Sequence, residues 1–542
     1  MIKPPQDFQR HLAGLEKAGL LVRIDRPINK DTELQPLVRW QFVGSVPESQ
    51  RKAFLFTHVV DGKGRRYDMP VAIGVYASSP EIYALGMGQK VEDIGRSWVN
   101  AVRNPIAPVT VTQAQCQQVV ITGDALKEPG GGLAALPVPV SSPGFDSAPY
   151  FTATMCVTRD PESGVQNTGT YRAALKATDR CVVRMVARVG GAGGWIHWQK
   201  YRARKEKMPI AIVLGAAPVV FFTAPQKLPV DLDEMSVAGA LAGEPIRMAK
   251  CVTQDLMVPA DAEVVVEGWI DASTLEPEAP FGESNGYVAL EAYNMPMQVT
   301  AITHRKNAVF SAIISQVTPS ESSVVKKVAY EPMFLSHLRD TLGIKGVKRV
   351  VMHEPLSNLR PVIFVQYARD TVRTEVWRGL QGAATYRVDC GKIVVGVSED
   401  IDPESTDAVF WSLAYRSTPS EDVQIINYRR GVQGAHYQAD GGNRFESSML
   451  IDATQKRPLP PLALPGKQYM ERAKALWEEL NLPPVTAKGT WHGYTLGDWT
   501  ETWERFAQRA VAGEWEANGL ETIQRRRDDL APESPTAKYE QL

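Results

Sequence analysis

Two glutamates stand five positions apart in the segment 277–287, which reads PEAPFGESNGY. Glu278 and Glu283 bracket a Pro-Phe-Gly turn, where Gly282 and Gly286 permit backbone conformations that other residues avoid. Across a tight turn both side chains can enter one cavity, where repulsion between like charges would leave one carboxyl protonated near neutrality as a proton donor. Spacing alone favours two exposed loop glutamates, and the turn residues are what keep the interpretation as a shared cavity open.

A second polar segment reads NTGTYR and covers residues 167–172. In a strand, Thr168, Thr170 and Arg172 would share one face. An arginine in such a strand suits a bidentate contact with a carboxylate. The alternative is an edge arginine that is paired with an acid of the protein itself.

A third segment, GGAGGWIHW at 190–198, carries His197 at the start of a helix-like stretch. Its glycines let the chain pass close to a ligand. A lone histidine is often structural. With an asparagine and a glutamate from elsewhere, His197 would instead complete a hard nitrogen and oxygen site for Mg²⁺, Mn²⁺ or Fe²⁺.

Two further charged residues precede regular elements. Glu234 follows Asp231 and Asp233 at an acidic helix start, where capping and interaction with the helix dipole are sufficient explanations. Lys392 comes just before the apolar run 393–397, where it can hold a phosphate as a point charge or merely flank a strand.

Composition narrows the class of protein. The 542 residues carry 60 Lys and Arg against 61 Asp and Glu, which disfavours a nucleic-acid binder. Five widely spaced cysteines without a CxxC pair indicate reduced thiols in a cytoplasmic protein. No apolar run is long enough to span a membrane, and the charged N-terminus does not resemble a secretory signal. A soluble, multidomain cytoplasmic protein is expected.

The pattern of elements predicts four parts: residues 1–115, 116–305, 306–450 and 451–542. The first mixes helix and strand, with amphipathic helices at 6–19 and 91–103. The second is mainly β, with short strands that suggest an antiparallel sheet or barrel. The third alternates apolar runs with helix-like stretches, as in an α/β domain with a largely parallel sheet; these runs are 309–314, 348–352, 361–366 and 393–397.

The fourth part begins with the proline-rich linker PLPPLALPG and continues with helices near 467–480 and 499–526. It is rich in tryptophan, which more often packs on a neighbouring surface than binds a cofactor. We therefore expect a helical tail that makes an oligomer or interdomain contact, with oligomerisation as the assigned role and a homo-oligomer, a dimer or a hexamer, as the expected assembly.

Taken together, the segments resemble the UbiD-like family of prenylated-FMN-dependent reversible decarboxylases. The resemblance runs in order over residues 5–450. It rests on the spacing of Asn167 and Arg172, on His197 after its glycine turn, and on the runs IAIVLGAAP at 210–218, LPVDLDEMSVAGALAGEP at 228–245, KCVTQDLMVPADAEVVVEG at 250–268, EAPFGESNGY at 278–287 and KIVVGVSEDIDP at 392–403.

The resemblance implies roles for individual residues. It implies that Asn167, His197 and Glu234 bind a divalent metal, usually Mn²⁺ but otherwise Fe²⁺ or Mg²⁺, with a nearby K⁺. The implied catalytic network is Arg172, Glu278 and Glu283. The implied cofactor contacts are Asn167, Thr168, Thr170, Arg172, Ile196, His197, Glu234 and Lys392.

The implied fold is a multidomain α+β and α/β protein. A central split β-barrel of the flavin-reductase type would carry the cofactor. An N-terminal α/β portion would precede this barrel, and a C-terminal α/β domain would follow it and close over the site. A UbiX-like flavin prenyltransferase would supply the prenylated FMN.

The implied activity is non-oxidative reversible decarboxylation of an aromatic or α,β-unsaturated acid, or of its CoA ester. Loss of CO₂ from an sp² carbon requires an electron sink that no side chain provides. Arg172 would orient the leaving carboxylate, Glu283 would deliver the proton, and Glu278 would hold their hydrogen-bond network.

The sequence departs from some members of the family in three places. Ile196 stands where some carry a polar cofactor contact, and Ala279 replaces a frequent glycine. Ser284 and Asn285 are smaller or more polar than the bulky residues of some acrylic-acid decarboxylases, which suggests a roomier pocket for a substituted ring or a thioester. Two alternatives stay open: a non-catalytic flavin- or metal-binding subunit of a larger carboxylase, and a flavin reductase that shares the barrel.

Overall fold

The computed structural model describes residues 3–185, 192–226, 228, 232–278, 280–430, 445–461, 465–485 and 499–525. The chain forms two compact units. The first comprises Met1–Phe334, Met352–Pro361 and Arg430–Arg444, and the second comprises Leu335–Val351, Val362–Arg429 and Phe445–Leu542. None of the described helices is long and apolar enough to cross a membrane.

A ten-stranded sheet forms the centre of the first unit. Eight strands follow one another in the order Gln166–Gly169, Met155–Arg159, Lys207–Leu214, Val264–Asp271, Ala292–His304, Arg180–Val183, Ala173–Ala177 and Tyr150–Phe151. Two more, Val119–Thr122 and Glu276–Glu278, pair with the long strand Ala292–His304. The pairs are antiparallel, as the β-rich pattern of the middle of the chain predicts.

This sheet has to curl. Gly169 ends the first strand of the order, and Ala173 begins the seventh strand, which lies six inter-strand spacings away across the sheet. Six inter-strand spacings amount to about 29 Å in a flat sheet, whereas the chain from Gly169 to Ala173 can span at most about 14 Å. The segment 170–172 therefore joins two strands that curvature brings close together. Among the described strands, no pairing joins the two ends of the sheet.

Apolar side chains fill the space on both faces of the sheet. Along the strand Lys207–Leu214, Ile210 and Ile212 contribute to one buried cluster, and Ala211 and Val213 contribute to the other. This alternation is the two-residue period of a strand that is covered on both faces. Such burial makes the sheet a rigid support for polar groups at its edges.

Smaller sheets and helices complete the first unit. A four-stranded sheet has the order Leu21–Ile24, Ala53–Phe56, Val71–Ile73 and Phe310–Ala312. Three small sheets comprise Ile28–Asn29, Val59–Val60 and Arg66–Tyr67; Met257–Pro259, Arg247–Lys250 and Val109–Thr110; and Phe281–Gly282 with Val288–Ala289. The α-helices are Phe8–Lys17, Leu34–Val43, Pro80–Gly86, Ile94–Arg103, Gly193–Arg204, Pro218–Thr223, Glu234–Ala242 and Glu321–Ser336, whose last two residues fall in the second unit. Short 3₁₀ turns lie at Glu48–Gln50, Val91–Asp93, Gln115–Gln117, Gly123–Leu126 and Gly132–Ala135.

The second unit is an α/β domain. Its five-stranded sheet has the order Val347–Met352, Val362–Tyr367, Ile393–Ser398, Phe445–Ala453 and Val423–Arg430. The strand Ile393–Ser398 pairs in parallel with both of its neighbours. The helices of this unit are His337–Thr341, which is a π-helix, Arg373–Thr385, Thr406–Arg416, Pro419–Asp422, Lys467–Glu479, Glu501–Val511 and Trp515–Ile523.

Helix predictions from periodicity agree with the structure to within a few residues. The helix predicted at 6–19 occupies Phe8–Lys17, and the one predicted at 91–103 occupies Ile94–Arg103. One strand lies elsewhere than expected. The run 309–314, which we assigned to the C-terminal α/β part, forms Phe310–Ala312 and pairs in parallel with Val71–Ile73 in the first unit. An apolar run identifies a buried strand but not its partner.

Candidate active site

Arg172 lies between the two predicted glutamates. Its Nε and Nη2 donate to Glu278 Oε1 at 2.5 Å and Oε2 at 3.1 Å, and its Nη1 donates to Glu283 Oε1 at 2.7 Å. Glu278 has no exposed surface, and the Glu283 side chain is 15% exposed. The interpretation as two exposed loop glutamates is therefore wrong, and both carboxylates belong to one buried ion cluster.

A second arginine, Arg184, completes this cluster. Its Nη1 lies 3.0 Å from Glu283 Oε1 and 3.7 Å from Glu278 Oε2. The main-chain N–H of Arg184 donates to the carbonyl of Arg172, which places the two arginines opposite each other just beyond the paired strands Ala173–Ala177 and Arg180–Val183. Asn294 also donates to Glu278 Oε2, at 3.2 Å. Two guanidinium groups thus face two carboxylates, so that formal charges balance in a buried place.

The charges in the cluster affect the two arginines differently. Burial disfavours a charged guanidinium, but Glu283 and Glu278 outweigh burial and raise the pKa of Arg172. Burial and the adjacent Arg172 lower the pKa of Arg184. The Arg172 guanidinium also lies over the ring of Phe281, 4.5 Å from its centroid, a favourable cation–π distance.

A short hairpin holds Glu283. The strands Phe281–Gly282 and Val288–Ala289 pair, and Gly286 adopts a φ of 94° in the turn between them. Behind the hairpin, the Asp146 carboxylate accepts from the main-chain N–H of Gly282 and from two serine N–H groups at 141–142. Burial raises the pKa of Asp146 to about 6, against the effect of these hydrogen bonds.

Asn167 and His197, two of the predicted metal ligands, meet at Thr158. Thr158 is the partner of Asn167 in the antiparallel pair of strands. Its hydroxyl lies 2.9 Å from Nδ1 of His197, on the helix Gly193–Arg204. That contact leaves Nε2 of the imidazole for a ligand, and a hydrogen bond to the other ring nitrogen is the usual way in which proteins orient metal-binding histidines.

Glu234, the third predicted metal ligand, reaches the same strand from another helix. It is the first residue of the helix Glu234–Ala242, and its Oε2 accepts from the main-chain N–H of Thr168 at 3.2 Å. Capping is done by Asp233, whose carboxylate accepts from Met235 and Ser236 N–H groups. The capping explanation therefore applies to Asp233, and Glu234 turns to the strand that carries Asn167.

The helix Gly193–Arg204 begins directly against Asn167. A Cβ atom added to Gly193 would lie 1.9 Å from Asn167 Oδ1, so only glycine allows this approach. Tyr171 links the helix to the strand, because its hydroxyl accepts from Gly194 N–H at 3.2 Å and lies 3.4 Å from Asn167 Nδ2. Since Tyr171 precedes Arg172, a single segment connects Asn167 and the other predicted metal ligands to the arginine–glutamate cluster.

Burial favours the uncharged form of two of these predicted ligands, so it shifts their pKa values in opposite directions. It lowers the pKa of His197 to about 4, which keeps the imidazole neutral as a ligand must be. It raises the pKa of Glu234 to about 7. Within the described parts of the chain, no group of three or more His, Cys, Asp or Glu side chains is arranged for metal binding. Only two of the three predicted ligands, His197 and Glu234, are of these residue types, since the third is Asn167.

The other predicted contacts are distributed over both units. Thr168 and Thr170 flank Gly169 beside the Asn167 group, and the Thr170 hydroxyl is buried without a hydrogen-bond partner among the described residues. Ile196 is half-buried on the same helix as His197. Lys392 belongs to the second unit, where its ammonium lies 3.5 Å from Glu446, and its contact with the cofactor stays a prediction. Gly190, Gly191, Asp231 and Ala279 fall outside the described residues.

Sequence reasoning missed Arg184, Thr158 and Asn294. For Thr158 a signal existed, because the turn residues at 160–164 separate two β runs and set a hairpin register that opposes Thr158 to Asn167. Arg184 follows the buried strand Arg180–Val183, and its meaning depends on the hairpin that brings it to Arg172.

Models of three consecutive family domains match the chain. They describe the N-terminal domain, the Rift-related domain and the C-terminal domain of 3-octaprenyl-4-hydroxybenzoate carboxy-lyase of the UbiD family, and they match residues 12–102, 108–317 and 323–453. The predicted resemblance is confirmed over most of the chain.

Solved structures agree with this. An evolved dimeric form of the UbiD-class enzyme HmfF from Pelotomaculum thermopropionicum, in complex with prenylated FMN, is 27% identical, with a TM-score of 0.74 over 87% of this chain and 100% of that one. The vanillic acid decarboxylase of Sedimentibacter hydroxybenzoicus in an open form is 25% identical, with a TM-score of 0.72 over 88% and 100%. An apo 3,4-dihydroxybenzoic acid decarboxylase from Enterobacter cloacae shares the fold at 21% identity and a TM-score of 0.73 over 87% and 100%.

Proposed function

The chain belongs to the UbiD family of carboxy-lyases, and from this premise we propose that it catalyses the reversible, non-oxidative decarboxylation of an aromatic or α,β-unsaturated acid, or of its CoA ester, with prenylated FMN. One observation supports the assignment most directly. Arg172 is bound by Glu278 and Glu283 in a buried cluster, and a single segment links that cluster to Asn167.

Asn167, His197 and Glu234 would hold a divalent cation, Mn²⁺ or alternatively Fe²⁺ or Mg²⁺, which together with K⁺ would supply the positive charge that the flavin phosphate requires. The chemistry of the donors supports the fit: one amide oxygen, one neutral imidazole and one carboxylate are ligands for such cations. Contacts with Thr158 and Thr168 restrain two of these side chains. Thr168, Thr170 and Ile196 are proposed as further contacts with the cofactor.

The bound flavin supplies the electron sink for the charge left when CO₂ departs. The protein's own groups do the remaining work. Arg172 orients the carboxylate of the acid, and Glu283 transfers its proton to the carbon that loses CO₂. Glu278, which is buried and bound to Arg172 and Asn294, holds both partners in position. The atoms balance: the substrate loses its carboxylate as CO₂, and the proton from Glu283 forms the new C–H bond on the same carbon.

The turn after Glu283 supports the proposed substrate class. Ser284 and Asn285 are small or polar, and the Asn285 amide nitrogen is buried without a partner among the described residues. A pocket with such a wall suits a substituted ring or a thioester. Basic residues at 200–207 are the candidates for the phosphates of a CoA ester, but Lys200 is already paired with Asp160 and Glu162, and the ester stays the weaker of the two substrate hypotheses.

The remaining proposals concern architecture and partners. The curvature required between Gly169 and Ala173 supports a split barrel for residues 116–305, between the parts 1–115 and 306–450. The exposed tryptophans of the tail support an assembly role for 451–542 in a homo-oligomer. Five buried free cysteines support a cytoplasmic protein. A UbiX-like prenyltransferase is the proposed supplier of the cofactor.

The decisive experiment is co-expression of the full chain with a flavin prenyltransferase, followed by the absorption spectrum and mass of the bound cofactor. Prenylated FMN and CO₂ release from one member of a panel of aromatic acids and their CoA esters are the expected results. Unmodified FMN with NAD(P)H oxidation would establish the flavin reductase alternative. Cofactor binding without turnover of any acid in the panel would favour the non-catalytic subunit.

A further inference from the structure

Arg172 has little capacity left for a substrate. Three of its nitrogens already donate to Glu278 and Glu283, at 2.5 to 3.1 Å. A guanidinium carries five N–H groups, so two remain, one on each terminal nitrogen. If a substrate carboxylate binds in this cluster, most of the hydrogen bonds to its oxygens have to come from another residue.

Arg184 has that capacity. Its Nη1 is buried and has no hydrogen-bond partner among the described residues, although it lies in ion-pair contact with Glu283 at 3.0 Å. Distance alone does not make a hydrogen bond, because the N–H must also be directed at its acceptor. A buried donor that lacks an acceptor is rare in folded proteins and requires an explanation such as an absent ligand.

The placement of the two arginines is itself costly. The Arg184 N–H donates to the Arg172 carbonyl at the end of two paired strands, so like charges stand directly opposite each other, an unfavourable arrangement. Glu278 and Glu283 neutralise them formally. When Glu283 carries the proton that it will transfer, however, one positive charge in the cluster is without a counter-ion. A single carboxylate from a substrate restores the balance.

We propose that Arg184 provides the principal binding contact for the leaving carboxylate of the substrate, and that Arg172 orients this carboxylate only through its two remaining N–H groups while its other donors bind Glu278 and Glu283. This inference rests on the proposed function and assigns the anchoring of the acid to a residue outside the predicted trio. In the reaction, Glu283 gives its proton to the carbon that loses CO₂, and the carboxylate held by Arg184 departs as neutral CO₂. The electron pair of the broken C–C bond forms the new C–H bond.

The test separates binding of the carboxylate from proton transfer. Exchange of the ring or vinyl hydrogen of the decarboxylated product with D₂O uses Glu283 but needs no carboxylate. In Arg184→Gln we expect KM for the acid to rise roughly 10- to 100-fold, the loss typical of one buried charge-assisted hydrogen bond. Product H/D exchange should stay within about threefold of the wild-type rate. Arg184→Lys, which keeps the charge, should recover part of the loss.

Two controls complete the design. Arg180→Gln, on the strand that directly precedes Arg184 but paired with Glu276 outside the cluster, should leave both reactions unchanged. A binding readout that needs no turnover is calorimetric titration of the same acid into Glu283→Gln and into Glu283→Gln combined with Arg184→Gln, where the second protein should bind at least about tenfold more weakly.

Three results are decisive against the inference. An unchanged KM and affinity in Arg184→Gln would overturn it, and so would a parallel loss of decarboxylation and product exchange, which indicates a structural role. Both would leave the proposed function intact. A wild-type holoenzyme that performs neither reaction with any acid or product of the panel would refute the proposed function and this inference together.

Discussion

Glu278 binds Arg172 through both of its carboxylate oxygens while it has no exposed surface of its own. Removing the charge of one partner leaves the other buried and uncompensated, which costs about 3–5 kcal/mol in other proteins. We therefore expect Glu278→Gln to lower the free energy of unfolding by about 3 kcal/mol and to reduce kcat.

The matched control is Glu276→Gln, two positions earlier on the same strand. Glu276 pairs with a partly exposed Arg180, so its loss should cost less than about 1 kcal/mol. Denaturant unfolding of both variants measures the difference. If both variants lowered the free energy of unfolding by the same amount, burial of Glu278 would not make its ion pair more costly to break than the exposed pair of Glu276.

Glu283 is the proposed proton donor, and only its Oε1 is engaged by the arginines. Glu283→Gln keeps the shape of the side chain but removes the transferable proton. We expect normal folding and flavin content, with decarboxylation and product H/D exchange both lost by at least about 100-fold. Normal turnover in this variant would refute the role of Glu283.

Thr158 orients His197 through a 2.9 Å contact with Nδ1. In Thr158→Val the imidazole loses this partner, and removal of a hydrogen-bond partner from a metal-binding histidine typically reduces metal affinity about 10–100-fold. The measurement is Mn²⁺ and flavin content after dialysis against increasing chelator. Thr303→Val is the control, because the buried Thr303 hydroxyl has no hydrogen-bond partner among the described residues. A variant that retains both metal and flavin as well as the control does would argue against a metal at His197.

Gly193 allows the start of its helix to touch Asn167. In Gly193→Ala the new Cβ would meet Asn167 Oδ1 at 1.9 Å, so Asn167 has to move. We expect loss of bound flavin and Mn²⁺ with the fold retained, as judged by circular dichroism. Gly519→Ala, in an open position of a helix, should be neutral or stabilise the protein by up to about 1 kcal/mol. Full cofactor occupancy in Gly193→Ala would contradict the site.

Glu321 predicts a pH dependence of stability. It is completely buried, and burial raises its pKa from the ordinary value of 4.5 to about 7, although four main-chain N–H groups oppose the rise. A carboxyl with a raised pKa contributes stability that is fully present below pH 4.5 and is lost as the pH rises through 7.

The measurement is denaturant unfolding of wild type and Glu321→Gln between pH 5 and 8, because the difference between them removes the contributions of Asp146 and Glu234. We expect the stability advantage of the wild type to shrink over this range by an amount on the order of 2–3 kcal/mol. A difference that is independent of pH would show that Glu321 ionises normally in the folded protein.

The sequence by itself determined the family, the residue types of the site and most helices. These follow from short-range information: turn residues around Glu283, apolar periodicity in Phe8–Lys17, and motifs in a fixed order. Even where the interpretation of the two glutamates stayed open, their spacing identified the right segment. Such signals need no knowledge of which strands become neighbours.

Only the tertiary structure decided which polar groups meet. Arg172 contacts Glu278 and Glu283 over separations of 106 and 111 positions, and Arg184 joins them through the hairpin with Ala173–Ala177. These contacts depend on strand order, register and the curl of the sheet between Gly169 and Ala173, and local periodicity does not encode these properties. Burial of both glutamates has the same origin, since the charge of a side chain is visible in the sequence and its environment is not.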